Sequence, residues 1–152
     1  MKKLPRVLLV DDEADYLFVA RRALHRACIQ AEIQTAADGG EVLRLLGLDT
    51  DPGVGSPPEG LAVILLDINM PGLDGIEVLR RIRFARRTRD IPVVMVSSSD
   101  RPDEVRLSYQ VGANSFIVKR FDRENPGAYV AEAARYWIDL NRPPAIPRDA
   151  GA

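Results

Sequence analysis

Apolar residues fall along this chain in short unbroken runs, separated by longer stretches in which they recur every three or four positions. Val7 to Val10 is the first run, and polarity switches abruptly at Asp11 and Asp12. Leu17, Ala20, Leu24, Ala27 and Cys28 then share one helical stripe, which predicts a helix over Glu13 to Cys28 with Cys28 as a small core residue. Ala31 to Ala36 alternates with Glu32 and Gln34 and reads as a second strand. Asp38 with Glu41 three residues on has the form of a helix start, and the helix is expected over about Glu41 to Leu48. Asp51 to Gly60 is rich in Pro and Gly and predicts a loop. Leu61 to Leu66 is a third, wholly apolar strand that ends at Asp67. A helix over Asp74 to Arg87 carries Ile76, Leu79 and Ile82 on one side. Pro92 to Val96 is a fourth strand ending at Ser97, and Arg101 to Val111 is a helix closed by Gly112. Ser115 to Val118 is a fifth strand ending at Lys119. The last helix, Arg123 to Leu140, has Tyr129, Val130, Ala133, Ala134, Trp137 and Ile138 on its buried stripe, and the Pro-rich chain from Asn141 is expected to be extended.

Apolar strands alternating with helices imply an α/β fold: a doubly wound, five-stranded parallel sheet covered on both faces by five helices. Right-handed crossovers leave few topologies, and ligand sites in such sheets lie at the carboxyl ends of the strands. No internal repeat is present. One domain is expected over residues 1–141, followed by a Pro-rich tail over 142–152 with no output domain.

Composition narrows this picture slightly. With 152 residues, 46% apolar and 28% charged, the chain is the size of one globular domain. A net charge of −1 gives no overall pull toward nucleic acid or acidic membranes. Arg80, Arg81, Arg83, Arg86, Arg87 and Arg89 read as a solvated helix face and the turn after it. One cysteine excludes an internal disulfide. His25, the single histidine, lies on the first helix among Arg21, Arg22 and Arg26 and reads as exposed and structural rather than as a phosphodonor. The first residues run straight into a strand and do not resemble a signal peptide, and no apolar stretch nears the ~20 residues of a membrane span. A cytoplasmic protein is expected.

The chemistry lies in how the strands end. Asp11 and Asp12 follow the first strand, Asp67 the third, Ser97 the fourth and Lys119 the fifth, so a parallel sheet brings three carboxylates, a hydroxyl and an ammonium to one crevice. Singly, the aspartates read as helix or loop caps, Ser97 as a turn residue and Lys119 as a solvated lysine. Jointly those readings need a coincidence at four strand ends. Crowded carboxylates call for a divalent cation, and Mg2+ suits them because it takes oxygen ligands and keeps positions for water and phosphate. Together the groups fit phosphoryl transfer to Asp67, with the metal and Lys119 balancing charge and Ser97 donating to the product.

From Arg6 to about Asn141 the chain resembles the receiver domains of two-component response regulators. The resemblance rests on Leu65-Leu66-Asp67-Ile68-Asn69-Met70-Pro71-Gly72-Leu73-Asp74-Gly75, with Val10-Asp11-Asp12 before it and Val118-Lys119 after it. It implies a flavodoxin-like receiver fold and a phosphoryl group delivered to Asp67 by a histidine kinase. It implies Mg2+ held by Asp11, Asp12 and Asp67 with the backbone carbonyl of Asn69, and Ser97 and Lys119 around the phosphoryl group. It implies Ser97 as a switch, and for Phe116 either a rotating switch aromatic or plain core packing. The chain would be a phosphoacceptor and not an enzyme in its own right. Its output would be a downstream protein contact, with neither nucleic acid nor membrane as partner. The loop at Asp51 to Gly60, the Tyr136-Trp137 pair and the Pro-rich tail further resemble the small response regulators that partner phytochromes. That group points to a phytochrome kinase and to a homodimer with Tyr136 and Trp137 on its face, Trp137 being alternatively a core anchor.

One departure stands out: Arg120 follows Lys119 where most receivers carry a proline after a cis peptide, so Lys119–Arg120 is either trans or strained. Two rival functions remain. A pseudo-receiver would keep the fold as a binding module without chemistry. A magnesium phosphatase with an aspartyl-phosphate intermediate usually has an acidic residue where Asn69 stands, and Asn69 cannot relay a proton.

Overall fold

The structure, a computed structural model, describes residues 3–49 and 58–144. Most of the expected loop at Asp51 to Gly60, and the tail beyond Pro144, lie outside the described residues.

The five strands, β1 (Arg6–Val10), β2 (Glu32–Ala36), β3 (Leu61–Asp67), β4 (Val93–Ser97) and β5 (Ser115–Val118), pair in parallel in the order β2-β1-β3-β4-β5. The central strands are apolar throughout because both faces are covered. Alternate residues serve opposite layers. Val7, Leu9, Val63, Leu65, Val94 and Val96 face α1 (Ala14–Arg26) and α5 (Ala128–Arg135). Leu8, Val10, Ile64, Leu66, Val93 and Met95 face α2 (Gly39–Leu45) and α3 (Gly75–Phe84). The remaining helix, α4 (Pro102–Val111), buries only Ser108 fully. With β1 and β3 central and their connections leaving in opposite directions, the crevice at their carboxyl ends is the topological switch point.

Capping fixes where the helices begin. The Asp38 side chain accepts the Glu41 N–H at 2.8 Å, and Glu41 reaches back to the Ala37 N–H at 2.9 Å. Asp74 caps α3 in the same way, accepting the Glu77 N–H at 2.9 Å. All helices start at the carboxyl edge of the sheet and run to the opposite edge. Acidic residues therefore gather at the first edge, with Asp15, Glu41, Glu77, Asp103 and Glu104 in first turns. Basic residues gather at the other, with His25, Arg26, Arg44, Arg81, Arg83 and Arg135 in last turns. Each set complements the helix dipole.

Several expectations need correction. Cys28 is not a core residue: α1 ends at Arg26, and Cys28 is exposed with φ 55°, turning the chain out of the helix. The last helix begins not at Arg123 but at Ala128, after Gly127 (φ 76°), and its final turn, Tyr136–Leu140, is π-helical. Ala131 joins its buried face. The third helix ends at Phe84, where Thr88 folds back and donates its hydroxyl to the Ile82 carbonyl at 2.7 Å. Arg83 is not part of a solvated face. Its guanidinium donates to the carbonyls of Gly112 (2.8 Å), Arg89 (3.1 Å) and Ile91 (2.8 Å) and to Asn114 Oδ1 (2.7 Å), tying α3 to the approaches of β4 and β5. The peptide after Lys119 is trans, as no cis bond occurs among the described residues.

Candidate functional site

Each strand end delivers its side chain to the crevice. Asp11 directly follows β1, and its N–H continues the ladder by donating to the Ala36 carbonyl at 3.1 Å. Its side chain is fully buried. Oδ1 accepts the Glu13 N–H at 2.9 Å, and Oδ2 takes the Lys119 ammonium at 2.7 Å. Asp11 does not cap α1, whose N-cap Glu13 has no side-chain cap bond; one of its oxygens closes a turn to the Glu13 N–H and the other is bonded to Lys119. Asp12 is exposed at the rim. Asp67, the last residue of β3, is 4% exposed. One carboxylate oxygen from each of Asp11, Asp12 and Asp67 lies within 4.8 Å of the others.

The backbone behind Asp67 is held by Gly75. A Cβ there would collide with the Asp67 carbonyl oxygen, so only glycine lets α3 start this close to the strand. The Gly75 N–H donates to the Ile68 carbonyl at 2.9 Å and locks the turn.

Electrostatics follow from this crowding. Burial, and then the charge of Asp11, push the Asp67 carboxyl up to about 6, while Lys119 and the Asn69 N–H pull the other way. Burial also acts against the Lys119 ammonium, yet its hydrogen bond to Asp11 and the charge of Asp67 outweigh this and hold it above its ordinary value. Lys119 sits 3.7 Å from Asp67 Oδ1, so it bridges the two buried carboxylates. The Lys119 N–H donates to the Ser97 carbonyl at 2.7 Å, which fixes where the β5 end leaves the sheet.

Ser97 is fully buried, but its hydroxyl is engaged away from Asp67. It donates to Glu104 Oε1 on α4 at 3.0 Å and accepts the Ser99 N–H at 3.1 Å. Phe116 is half-buried against the core on the α2–α3 side, opposite Met95 in the ladder. Trp137 packs partly into the other core, edge-on to Tyr136 at 4.9 Å, whereas Tyr136 is half-exposed. Asn69 is exposed beside Asp67.

Three residues at the site escaped the sequence reading. Tyr16 on α1 places its ring 4.2 Å from the Lys119 ammonium, and its hydroxyl shares a 2.9 Å hydrogen bond with that of Tyr129 on α5. Glu104 holds Ser97. A weak signal existed for Glu104, an acidic residue three positions past the Arg101 helix start. Tyr16 stands four residues before Ala20 on the same stripe, so periodicity marks it as core and gives no sign of its contact with Lys119.

Residues 7–130 match the response regulator receiver domain family. FilR2 of Methanothrix harundinacea, described as a probable methanogenesis regulatory protein, is 33% identical over 138 residues, 91% of this chain and 86% of that protein. PrrA of Mycobacterium leprae, a transcriptional regulatory protein, is 37% identical over 117 residues, and the match spans 77% of this chain but only 44% of that longer relative. Among solved structures, the phosphorylated cyanobacterial phytochrome response regulator RcpA aligns with a TM-score of 0.81 at 28% identity, covering 94% of this chain and 100% of that one. The Mn(2+)-bound form of response regulator Rcp1 aligns with a TM-score of 0.78 at 27% identity, covering 93% and 99%.

Proposed function

This chain belongs to the response regulator receiver domain family, and from that premise we propose that it is a phosphorylation switch whose acceptor is the Asp67 carboxylate. The observation that carries the reading is the buried grouping at the β1 and β3 ends, where Lys119 lies 2.7 Å from Asp11 and 3.7 Å from Asp67. A nucleophilic oxygen of Asp67 attacks the phosphorus of a phosphohistidine on a sensor histidine kinase, or of a small acyl phosphate. The new P–O bond forms as the bond to the donor nitrogen or oxygen breaks, and the donor departs with that electron pair. Lys119 offsets the charge gathered on the transferring oxygens, and Ser97 leaves Glu104 to donate to one of them.

The donor set fits a hard divalent cation. It offers only oxygens, and three carboxylates meet there with Lys119 as the cation paired to two of them. Asp11, Asp12 and Asp67, with the Asn69 carbonyl, would hold Mg2+. When bound, the ion supplies further charge neutralisation at the phosphoryl oxygens. The likeness to RcpA supports a phytochrome as the kinase partner, and the half-exposed Tyr136 beside Trp137 supports a homodimer face.

Intact-mass spectrometry after incubation with acetyl phosphate tests the reading. Wild type with Mg2+ is expected to gain one phosphoryl group, and neither wild type without metal nor Asp67→Asn is expected to gain it. No gain in any sample would make the chain an interaction module that keeps the fold without the chemistry.

A further inference from the structure

The ammonium of Lys119 is enclosed on two sides by different kinds of partner. The Asp11 and Asp67 carboxylates lie at 2.7 and 3.7 Å, and the face of the Tyr16 ring lies 4.2 Å from the nitrogen. Tyr16 is itself fixed, packed half-buried against the core between α1 and α5. Small residues beside Leu24 and Val130 bring the two helices together in that layer. Ala20 and Ala23 lie on α1, Ala131 and Ala134 lie on α5, and Ala23 lies against Gly127. Within this close-packed seam, the Tyr16 and Tyr129 hydroxyls meet at 2.9 Å, a polar link between α1 and α5 directly behind the lysine.

Given Asp67 as the phosphoryl acceptor, we propose that Tyr16 is a positioning residue for Lys119 and, through its hydroxyl bond to Tyr129, couples the state of Asp67 to α5. The ring face attracts the ammonium and closes the side of the crevice that the carboxylates leave open, so Lys119 is confined between Asp11 and Asp67. A phosphoryl group on Asp67 adds negative charge beside the lysine and draws it from Asp11 toward the new oxygens. The ammonium then moves across the Tyr16 ring. Tyr16 is tied to Tyr129 through its hydroxyl, so a displacement of its ring is passed to that partner. Tyr129 lies on the helix that continues into the π-helical turn carrying Trp137. This route runs to α5 and is separate from the Ser97–Glu104 contact, which runs to α4.

Trp137 is the single tryptophan of the chain and so reports on α5 directly. The experiment measures two quantities on the full chain with acetyl phosphate and Mg2+: the rate of phosphoryl gain by intact mass, and the change in Trp137 emission. Wild type is expected to show both. Tyr16→Leu, which removes the ring, is expected to slow phosphoryl gain about tenfold, and Tyr16→Phe, which keeps the ring face, to return the rate to within about twofold of wild type. Tyr16→Phe and Tyr129→Phe are each expected to be phosphorylated while losing most of the emission change, and the double variant to lose no more than either single one. Far-UV circular dichroism establishes that each variant is folded. A purely packing role would let rate and emission change fall together. An emission change undiminished in both phenylalanine variants, or a phosphorylated wild type with no emission change, would overturn the coupling. Absence of phosphoryl gain in wild type would instead overturn the assignment of Asp67, and the coupling with it.

Discussion

Burial and the charge of Asp11 act on Asp67 in the same direction, and Lys119 opposes them only in part. The folded chain keeps the Asp67 proton up to about pH 6, whereas the unfolded chain releases it near the ordinary value of 3.8. Between those values the folded state binds more protons, so this group's contribution to stability falls as pH rises through the window and stays lowered above it. Without divalent cations, Asp67→Asn is therefore expected to be more stable than wild type by on the order of 2 kcal/mol near neutral pH. The difference should shrink as pH falls toward 4. Urea unfolding of both proteins across that range checks the magnitude and the sign. Asp11, Asp67 and Lys119 were legible as a site because each ends an apolar run, and parallel strands carry such ends to one edge. Cys28 and Arg83 were misread for the opposite reason. Helical periodicity ignores where a helix stops, and it cannot show that an arginine has four carbonyl-type acceptors waiting around it.

At the scale of elements, the link that matters is between β4 and α4. Glu104 sits in the first turn of α4 and holds the Ser97 hydroxyl, while only Ser108 of that helix is fully buried. A helix so lightly packed depends on its few polar tethers. Glu104→Ala is expected to leave the fold intact and to raise amide hydrogen exchange across α4 in the unphosphorylated protein, with the rest of the sheet unchanged. Equal exchange in wild type and variant would show that Ser97 does not hold the helix. Strands were read almost to the residue, because a wholly apolar run bounded by polar residues has clear ends. Helix ends were read less well. Asp38 and Asp74 mark N-caps, although the second helix runs over Gly39–Leu45 and not Glu41 to Leu48, and the last helix is expected too early because its stripe passes over Asn125-Pro126, a turn signal, and the left-handed Gly127 that sets the true start.

At the scale of the molecule, five alternations of strand and helix left one architecture within reach of the sequence, and the parallel order β2-β1-β3-β4-β5 matches it. What the sequence could not show was which side chains occupy the space above the crevice, because Tyr16, Glu104 and Tyr129 are brought there by packing and not by any motif. Assembly is a further property of the whole molecule. Tyr136 and Leu140 in the π-helical turn are 49% and 76% exposed, an apolar surface at the end of α5. Sedimentation velocity is expected to show a dimer that Leu140→Asp with Tyr136→Asp dissociates, the variant retaining its phosphoryl gain. A monomeric wild type at roughly tens of micromolar, the range in which a micromolar dimer forms, would remove that face from consideration. The gathering of acidic side chains at one edge of the sheet and basic ones at the other has a kinetic meaning as well. The acidic first turns favour a basic surface on a protein that approaches the crevice, and its capture rate should fall as salt is added. A small anionic phosphoryl donor meets the crevice carboxylates, so its reaction should depend steeply on how far a divalent cation offsets their charge.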